Sequence, residues 1–74
     1  MISYEPLKKT LKAKNLTKYY LIKHGISKGT IDRMNKNGYI SLYTVEKICA
    51  ILDCDMTGVV SISIKMSKLN YSLF

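Results

Sequence analysis

Apolar residues recur along this chain at helical intervals, and each run is closed by a turn signal. Tyr4, Leu7 and Leu11 fall three and four apart, the spacing that lines one face of a helix. Ser3 is placed to cap that run. Pro6 is tolerated in a first turn whose N–H groups lack intrahelical partners, so a first helix is predicted over about Tyr4 to Lys14. Leu16, Tyr20, Leu21 and Ile22 mark a second helix, capped by the Thr17 hydroxyl, with Lys18 and Lys23 left to solvent. It should stop at Gly25, where a residue without Cβ most cheaply adopts the left-handed conformation. Ile26 then plugs a corner, and Ser27 caps a third helix that begins at Lys28. Ile31 and Met34 are its buried side; Lys28, Asp32 and Arg33 lie outside, and Asn37-Gly38 ends it. Behind a Ser41 cap, Val45, Ile48, Cys49 and Leu52 give the clearest stripe and predict a fourth helix over Leu42 to Leu52. Asp55 has the position of a cap for a short fifth helix holding Met56, Val59 and Val60.

The period then changes. Val60 to Met66 alternate strictly between apolar and polar and are rich in β-branched side chains, which argues for a strand. After Ser67-Lys68 the alternation resumes in shifted phase at Leu69, Tyr71 and Leu73. Folding there would face Met66 with Leu69, Ile64 with Tyr71 and Ile62 with Leu73, although Ser-Lys is poor chemistry for a two-residue turn. An isolated hairpin is marginal, so its apolar face must cover the helices or meet a second copy; pairing between two chains is favoured, and a frayed tail is the plainer alternative. The expected architecture is all-α: a compact four- to five-helix bundle over residues 1–60, with residues 61–74 as a tail forming a C-terminal β-hairpin or strand. Leu7, Leu11, Leu21, Ile22, Ile26, Ile31, Met34, Val45, Ile48 and Leu52 are its expected core.

The second and third helices are joined by so tight a turn that one must cross the other, the sequence form of a helix-turn-helix. Leu16, Thr17, Leu21, Ile22, Gly25, Ile26, Ser27, Thr30, Ile31 and Met34 stand at the spacings of the pattern, and Ser41 to Met56 resembles the helix that follows it. As a set these positions resemble the Cro/CI-type (Xre-like) helix-turn-helix family over roughly residues 4 to 60. That resemblance implies a lambda-repressor-like bundle and a transcriptional regulator, expected to be a repressor that binds operator DNA as a homodimer. The tail departs from the family, which would have a helix with acidic residues where this chain has Gly58 and the alternating segment.

Charge supports a polyanionic partner. Net charge is +7, and its placement is uneven. Residues 1–40 hold Lys8, Lys9, Lys12, Lys14, Lys18, Lys23, Lys28, Arg33 and Lys36 against Glu5 and Asp32, whereas residues 41–74 hold three groups of each sign. All the excess lies in the half that carries the turn motif, as expected for a nucleic-acid partner; a solvated lysine-rich surface is the bland explanation.

Double-stranded DNA would then meet the outward positions of the third helix. Arg33 is the candidate for direct readout, because its planar fork can bond guanine O6 and N7 together. Lys28 can reach a guanine or a phosphate. Thr30 can touch a thymine methyl or a phosphate, or keep its hydroxyl within its own helix. Gly29 has no side chain at a position that often reads sequence in this family, which weakens discrimination but allows close backbone approach. Thr17 and Lys18 at one helix start, and Ser27 at the other, are candidates for holding phosphates, as are Lys36 and Asn37 after the third helix. Asp32 is expected to pair with a lysine on its own surface. A protein-interaction module presenting the apolar tail, and a non-specific nucleic-acid binder, are the alternative functions.

Other chemistry finds little support. His24 is the only histidine, the acids are unpaired, and no phosphate-binding glycine loop is present, so no enzyme is expected. Cys49 and Cys54 lack the spacing of a zinc or redox site and are expected to be buried thiols; no metal or cofactor is implied, and no small-molecule substrate. No apolar run is long enough to span a membrane and the N-terminus lacks a signal peptide's apolar stretch, so a cytoplasmic location is expected.

Overall fold

The computed structural model describes residues 1–63 of the chain. In order they form β1 (Ile2–Ser3), α1 (Glu5–Ala13), α2 (Lys18–Lys23), α3 (Lys28–Asn35), α4 (Leu42–Leu52), a 3₁₀ turn at Met56–Gly58 and β2 (Ser61–Ile62). All four helices end at or just before a left-handed residue: Asn15, Gly25, Asn37 and Asp53 have φ of 59°, 107°, 56° and 53°. At all four, a backbone N–H reaches five residues back, from Leu16 to Leu11, from Ile26 to Leu21, from Gly38 to Arg33 and from Cys54 to Cys49. Those bonds satisfy carbonyls that the helix itself cannot, and they turn the chain sharply enough to pack short helices at once.

The core is the one expected, with two additions. Leu7, Leu11, Leu21, Ile26, Ile31, Met34, Val45, Ile48 and Leu52 are buried, joined by Tyr4 and Val59, while Ile22 is only half-buried against them. Each fully buried aliphatic side chain contributes roughly 1.5–3 kcal/mol relative to exposure. The Tyr4 hydroxyl keeps its polar end satisfied by donating to the Gly38 carbonyl at 2.5 Å. Burial, and after it the nearby Tyr39, pushes the Tyr4 phenol above its ordinary value.

Three caps differ from expectation. Ser27 and Ser41 accept from the N–H groups of Thr30 and Thr44 as capping side chains should, but Thr17 and Asp55 hold the extended cap backbone without any side-chain bond. Ser3 acts one residue too early: its hydroxyl accepts from Glu5 N–H at 3.2 Å while Tyr4 takes the cap position. The short fifth helix is a single 3₁₀ turn. Gly58 ends it, and the Gly58 carbonyl accepts from the Thr10 hydroxyl of α1 at 2.7 Å. A side chain at Gly58 would begin 3.1 Å from that hydroxyl, so close packing of α1 on the turn explains the glycine.

The strand expected after residue 60 begins at Ser61, but its partner is the other end of the chain. β2 runs antiparallel to β1, with Ile2 opposite Ile62 and Ser3 opposite Ser61. Ser63 N–H extends the ladder to the Met1 carbonyl at 2.8 Å. The hairpin partners Ile64, Met66, Leu69, Tyr71 and Leu73 lie outside the described residues.

Candidate nucleic-acid interface

The four residues from His24 to Ser27 separate α2 from α3. Gly25 supplies the positive φ the turn requires, and Ile26 drops its side chain into the core with 3% of its surface exposed. From α4, Lys47 Nζ donates to the Gly25 carbonyl at 3.2 Å and ties the turn down from outside. α3 is thereby fixed with Thr30, Ile31 and Met34 inward and Lys28, Gly29, Asp32 and Arg33 bare to solvent.

The nine candidate residues fall into two groups on the surface. Ser27, Lys28, Gly29, Thr30 and Arg33 occupy the opening turns of α3, and all but Thr30 are exposed. Lys36 caps the end of α3 and Asn37 takes the left-handed position after it, both exposed. Thr17 and Lys18 open α2 beside that second group, because the Lys18 ammonium donates to the Asn35 side chain. Lys18 is consequently half-buried rather than free in solvent, whereas the Thr17 hydroxyl is exposed and forms no cap bond. Thr30 retains only 8% exposure, and its hydroxyl accepts from Ser27 Oγ at 2.9 Å and from Arg33 Nη2 at 3.4 Å. Gly29 faces open space: the nearest atom to a Cβ built there is Ser27 Oγ at 4.0 Å.

Several features carry no signal in the sequence. Asp32 does not find the expected lysine; the one ion pair among the described residues is Lys8–Glu5, 3.3 Å apart on α1. Asn35 and Lys47 brace the motif from positions that carry no motif signal. Tyr39, 81% exposed, stands in the segment between α3 and α4, and only its exposure marks it. Cys49 and Cys54 are free and half-buried rather than fully buried. Burial first, then the neighbouring Cys54 and the acids Asp55 and Glu46, push the Cys49 thiol upward. Both line a shallow hollow with Leu42, Tyr43 and Met56. Among the described residues no group of histidine, cysteine and acid side chains is arranged to hold a metal, and no helix is long and apolar enough to cross a membrane.

A short helix with a buried inner face, a cationic outer face and a pinned tight turn ahead of it is the architecture of a helix-turn-helix DNA-binding domain. Comparison with known proteins agrees. The model of the Cro/C1-type HTH DNA-binding domain matches residues 6–61, three quarters of the chain, and the protein belongs to that family. Among solved structures it is similar to the transcriptional regulator VanUg, with 31% sequence identity, a TM-score of 0.75 and 81% of each chain covered. No curated protein sequence matches the chain. Fold and family together make it a DNA-binding regulator with a helix-turn-helix.

Proposed function

We propose that the chain is a cytoplasmic, sequence-specific transcriptional repressor that binds operator DNA as a homodimer, with α3 in the major groove. The observation that carries this reading is the outer face of α3, where Lys28 and Arg33 are open to solvent while the opposite face is wholly buried. Arg33 reads a guanine; Lys28 joins it at a base or a phosphate. Thr17, Lys18, Ser27, Lys36 and Asn37 place the domain on the two phosphate backbones, and Gly29 lets the helix backbone come close. Repression needs only occupancy of the operator. Residues 61–74 supply the contact between two copies, so that two α3 helices meet half-sites about one helical turn apart.

The test starts from duplexes that the full chain enriches from a random pool. Their affinity should fall steeply with salt, because each phosphate neutralised releases counterions. Arg33→Ala should lower the ratio of selected to random affinity about tenfold or more, the value of one good base contact. An unchanged ratio would remove Arg33 from readout, and the absence of any enriched duplex would remove sequence specificity altogether. A second reading, docking of a protein partner, draws on the exposed Leu42, Tyr43 and Met56 around the α4 hollow (76%, 71% and 52% exposed). It predicts partner binding with no salt-dependent affinity for any duplex.

A further inference from the structure

We propose that Thr30 is a positioning residue, which holds the Arg33 guanidinium ready for a base edge without itself reaching the DNA. The inference rests on the reading of α3 as the DNA-facing helix. Thr30 is 92% buried by its 8% exposure, so little of it is available to a ligand. Its hydroxyl oxygen has two lone pairs, and both have donors: Ser27 Oγ at 2.9 Å and Arg33 Nη2 at 3.4 Å.

Capping alone does not account for that hydroxyl. The cap bond runs from the Thr30 backbone N–H to Ser27 Oγ at 3.1 Å, and any residue at this position would supply it. The chain contains its own comparison at α4, where Ser41 and Thr44 repeat the arrangement with 3.1 Å and 2.9 Å bonds. There the cation one turn further on, Lys47, donates to Gly25 instead of to the threonine. At α3 the cation one turn on is Arg33, and it turns back to Thr30.

The neighbours of Arg33 leave Thr30 as the available brace. Residues three and four positions back share its helix face, and these are Thr30 and Gly29. Gly29 has no side chain to offer. On the following turn stand Lys36, a cation that cannot accept from a guanidinium, and Asn37, which follows the helix in the left-handed conformation; the Arg33 side chain bonds to Thr30 and to neither of them. An arginine without a brace loses more rotamer freedom when it fixes its fork on guanine, so the cost of Thr30's absence should appear in discrimination rather than in general affinity.

Arg33 is the only arginine in the chain, so its Nε–H resonance is unambiguous. The experiment compares Thr30→Val, which keeps the buried shape, with Thr30→Ser, which keeps the hydroxyl. In the free full chain, ¹⁵N relaxation at Arg33 Nε should show greater motion in Thr30→Val and wild-type order in Thr30→Ser. With duplexes enriched by the wild-type chain, Thr30→Val should lower the ratio of selected to random affinity roughly three- to tenfold, and Thr30→Ser should restore it. On an Arg33→Ala background Thr30→Val should change that ratio no further. Unaltered Nε order in Thr30→Val overturns the proposal. So does a Thr30→Val loss that persists in full without Arg33, since Thr30 would then meet the DNA itself. Reduced order with no duplex ever enriched overturns the role in reading through failure of the DNA assignment, and leaves the brace intact.

Discussion

Gly29 is where residue chemistry and inferred function diverge most visibly. Its backbone is ordinary right-handed helix, and a Cβ there would touch nothing closer than Ser27 Oγ at 4.0 Å. The fold therefore does not require glycine. Gly29→Ala should stabilise the free protein by up to roughly 0.5–1 kcal/mol, because glycine loses more backbone entropy on folding than alanine and Gly29, the second residue of α3, gains at most the helix-interior value. Thermal unfolding would register this as a rise of several degrees, on the order of 4–8 °C per kcal/mol for a domain of this size. A fall in the midpoint would mean that the position is strained in a way the geometry does not show. Glycine at a helix position that gains from a side chain is consistent with close approach of α3 to a partner.

At the scale of elements, the tight turn before α3 is the least replaceable piece. Gly25 has φ of 107°, a conformation that side-chain-bearing residues rarely adopt, and a Cβ there would also meet Lys47 Nζ at 3.2 Å. Gly25→Ala should cost about 1–3 kcal/mol by denaturant unfolding, and its loss of stability should exceed that of Gly58→Ala only if backbone conformation outweighs crowding. The helices around this turn were legible in sequence because capping and periodicity are local. The stripe of apolar residues gives Leu42–Leu52 as a helix, and Ser27, Ser41, Gly25 and Asn37 fill the roles their residue types predict. What escaped was long-range. The pairing of Ile2–Ser3 with Ser61–Ile62 joins residues 58 and 60 positions apart, and two-residue strands carry no periodic signal. Lys18–Asn35 and Lys47–Gly25 similarly depend on how helices meet, so the helical pattern leaves Lys18 in solvent and gives Lys47 no partner. Thr30 was ambiguous for the same reason: its spacing does not reveal whether the hydroxyl points toward Arg33.

The whole molecule carries its +7 charge unevenly, with all the excess in residues 1–40. Two copies brought together through residues 61–74 would each present that half to a duplex. Removal of residues 64–74, which keeps every residue of β2 and the helices, should convert the proposed dimer to a monomer by sedimentation while weakening operator binding by at least tenfold. A truncated chain that sediments unchanged would move the dimer contact elsewhere, to the α4 hollow first. Salt should act on the full chain more steeply than on the truncated one, because two domains release more counterions than one.

Asn37-Gly38 has a chemical consequence beyond ending a helix. Asparagine before glycine is prone to lose its amide nitrogen, because the unhindered glycine nitrogen attacks the side-chain carbonyl and closes a ring that opens to an acid. Here that nitrogen is occupied, its N–H donating to the Arg33 carbonyl at 2.7 Å. The native turn thus shields the dipeptide from ageing, and damage should accumulate only during excursions out of the folded state. Each such event would plant a negative charge beside Lys36 and one turn from Arg33, so a protein that unfolds often would slowly spoil the very surface on which it depends.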